Sequence, residues 1–231
     1  MSLDGPRVFP ESGNAKSLVV FLHGYGADGN DLIDIGRLWA PLLPDAAFVS
    51  PHAPDPCEQS PMGRQWFPLS AIDPARLRDG ALSAAPALDA FLDEELLRLN
   101  LLDDRLALVG FSQGTMMALH VGVRRAHRIA GIVGYSGLLP GPEFLKAETR
   151  HTPPVLLVHG ADDPLIPAMA TLAAQRALGD AGFQVEWHIR PGLEHGIDQT
   201  GLDLGAEFLR RVLRRDAHAK FKNGFPDKMP F

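Results

Sequence analysis

The stretch Gly110-Phe111-Ser112-Gln113-Gly114 constrains this chain more than any other. Upstream lies Arg105-Leu106-Ala107-Leu108-Val109, a compact apolar run of strand type. Downstream, Thr115-Met116-Met117-Ala118-Leu119-His120-Val121 has the composition of a buried helix. A serine between two glycines, at a strand-to-helix turn, is the pattern of a nucleophile elbow. Both flanks of so tight a turn must be small, and the serine hydroxyl is pushed into an exposed bend. A glycine-rich connector gives the same five letters, so the rest of the chain has to supply a base, an acid, an oxyanion hole and a pocket.

The other elements point to one architecture. Leu18 to Leu22 is a continuous apolar run, as expected of a strand covered on both faces. Further strands are expected at Ala46 to Ser50, Ile129 to Tyr135, Pro154 to Val158 and Gln184 to Ile189. Residues 1–15 read as a short arm or first edge strand. Helices are expected from Asp31 to Trp39, capped by Asn30 or Asp31, and from Ala81 to Asn100 with Leu82, Leu88, Leu92 and Leu96 as its buried stripe. Two more are expected from Met169 to Ala181 and from Gly201 to Arg215. Alternating short strands and helices predict an α/β fold with a mostly parallel sheet and helices on both faces. The 231 residues suit a single domain over 1–231, with a core at about 15–215 and a tail at 216–231. The proline- and glycine-rich segment 51–69 carries Met62, Trp66, Phe67 and Leu69, and a long loop with such side chains is expected to cover something.

Composition narrows the function classes. The net charge of −6 speaks against a nucleic-acid groove, which needs clustered Lys and Arg. The basic run Arg210 to Arg215 is better placed as cations at a helix C-terminus. A single cysteine, Cys57, excludes an intrachain disulfide and fits a cytoplasmic protein. No apolar stretch is long enough to span a bilayer, so no stable membrane insertion is expected. The absence of H-E-x-x-H and of any Cys/His cluster predicts no metal, and no cofactor is implied.

In open α/β sheets, ligands bind beyond the carboxyl ends of the strands. A serine there needs a base within hydrogen-bond reach. Of nine histidines, only His195 sits in a glycine-bracketed loop just past a strand end, Gly192-Leu193-Glu194-His195-Gly196. The base needs a carboxylate to fix its tautomer. His159-Gly160-Ala161-Asp162-Asp163-Pro164 offers two. Asp163 is preferred, because Pro164 holds it extended, and Asp162 is the alternative. The order Ser112, Asp163, His195 is the one expected of α/β-hydrolases. Main-chain donors for an oxyanion are expected at Gln113, after the serine, and at Tyr25, in the glycine loop after the first long strand.

Together, Phe21-Leu22-His23-Gly24-Tyr25-Gly26-Ala27-Asp28-Gly29, the 110–114 elbow, His159 to Pro167 and Glu194-His195 resemble the phospholipase/carboxylesterase family of α/β-hydrolases. That family includes bacterial carboxylesterases and acyl-protein thioesterases. The resemblance covers residues 15–212, and its acid falls on Asp163. The family commonly has Leu where this chain has Tyr25, which leaves a main-chain donor intact but alters the pocket rim. The resemblance implies an α/β-hydrolase fold and a serine carboxylesterase acting on a small-molecule ester. Met62, Trp66, Phe67, Leu69, Leu138 and Ile166 are then expected to line the acyl pocket. An acyl thioesterase or lysophospholipase would use the same machinery, and a noncatalytic binding protein of this fold is expected to lack a triad member. Exposed aromatics of the 60–70 segment or the tail are candidates for a homodimer contact.

Overall fold

The computed structural model describes residues 3–69 and 73–214. The elements in chain order are β1 (Arg7–Val8), β2 (Ser17–Leu22), α1 (Gly29–Trp39), β3 (Ala46–Val49), β4 (Asp55–Pro56), β5 (Arg64–Gln65), α2 (Pro74–Leu99), β6 (Leu106–Phe111) and α3 (Gln113–Gly122). They continue as β7 (Gly131–Tyr135), α4 (Pro142–Glu148), β8 (Val155–Gly160), α5 (Met169–Asp180), β9 (Val185–Arg190) and α6 (Gln199–Leu213). Seven strands form one sheet in the order β1-β3-β2-β6-β7-β8-β9. Only β1 runs antiparallel, along the edge of β3. The small β4–β5 ladder lies in the segment 51–69.

Alternation along the strands feeds two cores. Leu18, Val20, Leu22, Leu106 and Leu108 pack with Leu88 and Leu92 of α2 and with Met117 of α3. Val19, Phe21, Ala107 and Val109 pack on the other face with Ile33 and Trp39 of α1 and with Phe208 and Leu209 of α6. Successive strand residues point to opposite faces, so a strand buried on both must be apolar throughout.

Several expected boundaries move, each for a local reason. The cap of α1 is Asp28 rather than Asn30 or Asp31: its carboxylate accepts from the Asn30 N–H at 2.7 Å. Helix α2 begins at Pro74, well before Ala81, because proline suits the first helical turn. Its stripe uses Ala81, Ala84, Leu88, Leu92 and Leu96, whereas Leu82 is half exposed on the outer side. Helix α4 has no counterpart among the expected elements; it is one short segment, started by Pro142. Trp66 and Phe67 are buried, so the 60–70 segment offers neither ring as an exposed dimer contact. The tail at 216–231 lies outside the described residues.

The strand order fixes where a site can form. The chain passes from β2 to β3 on one side, then returns to lay β6 on the other. This is a topological switch point, where loops from adjacent strands diverge and leave a crevice. Leu22 pairs with Gly110, so the loop after β2 and the elbow after β6 emerge side by side.

Candidate active site

Ser112 sits between β6 and α3 with φ 53° and ψ −113°, a conformation an L-residue adopts only under constraint. The constraint is visible in its neighbours. The Ser112 N–H donates to the Tyr135 carbonyl at 2.9 Å, while its own carbonyl accepts from the Thr115 N–H at 3.0 Å. The Thr115 hydroxyl lies 2.8 Å from the carbonyls of both Gly110 and Tyr135, tying the elbow to β7. A methyl on Gly114 would stand 1.8 Å from the Leu22 carbonyl oxygen, so only glycine lets α3 pack against the end of β2.

The loop after β2 reaches the serine through Gly24, where an added Cβ would lie 3.4 Å from Ser112 Cβ. His23 anchors this loop. Its Nδ1 donates to the Gly24 carbonyl at 2.8 Å, and its Nε2 accepts from the Ala53 N–H at 3.0 Å. Burial pushes the His23 pKa down to about 4, which keeps the ring neutral in this two-sided role. The Trp66 indole N–H donates to the His23 carbonyl at 3.1 Å. Gln113, the first residue of α3, uses its side chain as a clamp. Its Oε1 accepts from the Trp66 N–H at 2.9 Å and its Nε2 donates to the Phe67 carbonyl at 2.8 Å.

The two expected carboxylates separate cleanly. Asp162 is exposed, whereas Asp163 is buried. Asp163 Oδ2 lies 2.7 Å from His195 Nδ1. Its Oδ1 accepts from the Leu165 and Ile166 N–H groups, both at 2.9 Å. Burial works to raise the Asp163 pKa, but those main-chain donors and the His195 ring outweigh it and hold the carboxyl below its usual range. The loop that carries His195 is laid against the loop that carries Asp163 by main-chain bonds, Ala161 N–H to the Arg190 carbonyl and Asp162 N–H to the Leu193 carbonyl. Gly160 makes that crossing possible: any Cβ there would come within 2.2 Å of the Leu193 and Glu194 carbonyl oxygens. The His195 ring also packs on Phe111 at 5.0 Å.

Ser112 and His195 face one cleft of about 330 Å³, walled by Gly24, Tyr25, Gln59, Leu69, Phe111, Met116, Leu165 and Ile166. Of the expected acyl-pocket residues, Leu69 and Ile166 are in that wall. Met62 is not: it is 93% exposed. Trp66 and Phe67 are not either, because both are packed into the main core, with Phe67 filling the space over Gly80 of α2. Leu138 lines a separate apolar cavity with Leu77, Leu139 and Ala174. Four residues of the wall escape the sequence reading. Met116 follows Ser112 by one helical turn and so shares its face, and Leu165 follows Asp163 by two residues. Phe111 lies inside the elbow motif itself. Gln59 gives no signal. No group of three His, Cys, Asp or Glu able to hold a metal occurs among the described residues. No described helix is long and apolar enough to cross a membrane.

A mostly parallel sheet with helices on both faces and a serine elbow at its switch point defines an α/β-hydrolase. The chain belongs to the phospholipase/carboxylesterase family, whose model matches residues 3–213. It is a serine hydrolase of the carboxylesterase class. It is 29% identical over 200 residues to the esterase YpfH of Escherichia coli, covering 86% of this chain and 84% of that one. It is 26% identical over 224 residues to acyl-protein thioesterase 1 of Gibberella zeae, covering 90% and 95%. The solved structure of esterase PE8 superposes with a TM-score of 0.89 at 44% identity, covering 92% of this chain and all of that one.

Proposed function

We propose that Ser112, His195 and Asp163 form the catalytic triad of a carboxylesterase acting on small esters with short-to-medium acyl chains. Ser112 Oγ attacks the ester carbonyl while His195 Nε2 takes its proton. Asp163, bonded to Nδ1, holds the tautomer and stabilises the imidazolium. The N–H groups of Tyr25 and Gln113 receive the oxyanion, aided by the positive end of α3. The protonated His195 gives its proton to the leaving alcohol. Water, deprotonated by the same nitrogen, then releases the acid and regenerates Ser112.

The observation that carries this reading is the 2.7 Å contact between His195 and the buried Asp163, in a cleft shared with Ser112. The cleft volume is near the small end of ligand pockets, which favours a compact acyl group. The single cysteine supports action in a reducing compartment such as the cytoplasm. Fluorophosphonate labelling tests the nucleophile directly. Wild type is expected to label, and Ser112→Ala to lose both the label and p-nitrophenyl ester hydrolysis by more than about 10³-fold. Retention of most activity in Ser112→Ala defeats the assignment. In a chain-length series, a clear preference for palmitoyl esters defeats the short-acyl part alone.

A thioesterase activity is the second reading, favoured by the relatives named acyl-protein thioesterase. Esters and thioesters share one tetrahedral intermediate, so matched acyl pairs with the two leaving groups separate the readings.

A further inference from the structure

The carboxylate of Asp163 has a second histidine on it. His159, the penultimate residue of β8, is fully buried and places Nε2 3.1 Å from Asp163 Oδ2, the same oxygen that His195 approaches. That Nε2 also lies 2.8 Å from the Ile166 carbonyl, while Nδ1 lies 2.7 Å from the Thr171 hydroxyl of α5. Carboxylate and carbonyl oxygens only accept, so Nε2 carries the hydrogen. A neutral ring then accepts at Nδ1, and the Thr171 hydroxyl donates to it. The partners thus fix the tautomer of His159, with the hydrogen on Nε2 aimed at the acid.

We propose that His159 is a positioning residue for the acid–base pair. It locks the Asp163 carboxylate in the orientation His195 needs and limits how strongly that carboxylate pulls on the imidazolium proton. Four donors meet the carboxylate. Asp163 Oδ1 is filled by the Leu165 and Ile166 N–H groups, and Oδ2 is shared by His159 and His195. Three of the four belong to the segment 159–166, so most of what holds the carboxylate is independent of the loop that carries His195. Each donor to a carboxylate also spreads its charge and weakens its remaining bonds. The charged groups flanking the pair point elsewhere: Asp162 and Glu194 are exposed, and Arg190 of β9 is paired with Asp198 at 2.9 Å. His159 also donates to Ile166, a wall of the cleft, and so ties the acid to the substrate side.

The test is the profile of kcat/KM against pH on a p-nitrophenyl ester, for His159→Phe, His159→Gln and Thr171→Val. Without the donor, Asp163 bears more charge toward His195, so His159→Phe is expected to raise the acid limb by about half a pH unit or more. The plateau is expected to fall about tenfold as the carboxylate loses its orientation. His159→Gln keeps an N–H near the Nε2 position and is expected to return the limb to its wild-type place. Thr171→Val weakens the His159 donor indirectly and is expected to move the limb the same way by less. A folded His159→Phe protein with an unmoved acid limb overturns the proposal. If that variant does not fold, an unmoved limb in Thr171→Val overturns it instead. The proposal rests on Asp163 being the triad acid. Failure of wild type to label at Ser112 defeats that reading, whereas normal labelling with an unmoved limb defeats only the role of His159.

Discussion

Around Asp163, each carboxylate oxygen accepts from two donors at 3.1 Å or less, and the elbow beside it is packed so closely that glycines are obligatory. Across the cleft, the segment 51–69 divides its large side chains among three fates. Trp66 and Phe67 go to the core, Leu69 to the cleft wall, and Met62 to solvent. One side is specified by hydrogen-bond geometry and hard contacts, which admit few residues at each position. The other is specified by apolar burial, which is non-directional and admits many. The difference teaches that the Ser112–Asp163–His195 side of the cleft is fixed by directional contacts, while segment 51–69, which gives Gln59 and Leu69 to the wall, meets much looser requirements.

Gly114→Ala is the strongest way to break that contrast. The added methyl has nowhere to go against the Leu22 carbonyl, so a stability loss of about 4 kcal/mol or more is expected, read by denaturant unfolding. A loss below about 1 kcal/mol would mean that the elbow is no more tightly specified than the segment 51–69. Gln113→Leu probes the link between the two regions. It leaves the Trp66 N–H and Phe67 carbonyl buried without partners, at an expected cost of about 2–4 kcal/mol. The cost should be accompanied by altered acyl-chain preference in the ester series, because the clamp positions the chain that leads into Leu69. Met62→Ala should change stability by less than about 0.5 kcal/mol and leave hydrolysis of short esters within about twofold. A large fall in activity there would show that Met62 folds over bound substrate.

The same contrast explains what is legible before any fold is known. The Ser112, Asp163 and His195 positions stand out because each lies at a strand end with glycine or proline beside it, and such punctuation is local. Preferring Asp163 over Asp162 needs only Pro164 and the resemblance to a family, and the structure places the one inside and the other outside. The residues expected to line the acyl pocket are poorly legible. Hydrophobicity announces burial but not which of several apolar spaces receives the side chain, so Leu138 enters a second cavity and Trp66 the core. His159 opens a motif the sequence does show, but its contact with Asp163 is not legible there, because the strand runs on through Gly160 and only the folded turn brings the two side chains together.

By itself, then, the sequence determined the alternation of strands and helices, the doubly covered sheet and the order of the chemical groups along the chain. Those follow from local periodicity and turn chemistry, which act over a few residues. Tertiary structure alone decided that β2 and β6 lie side by side at a switch point, that His159 shares an oxygen of Asp163 with His195, and which apolar side chains face the cleft. These are distances between segments far apart in sequence, and they exist only once both cores have closed on the sheet.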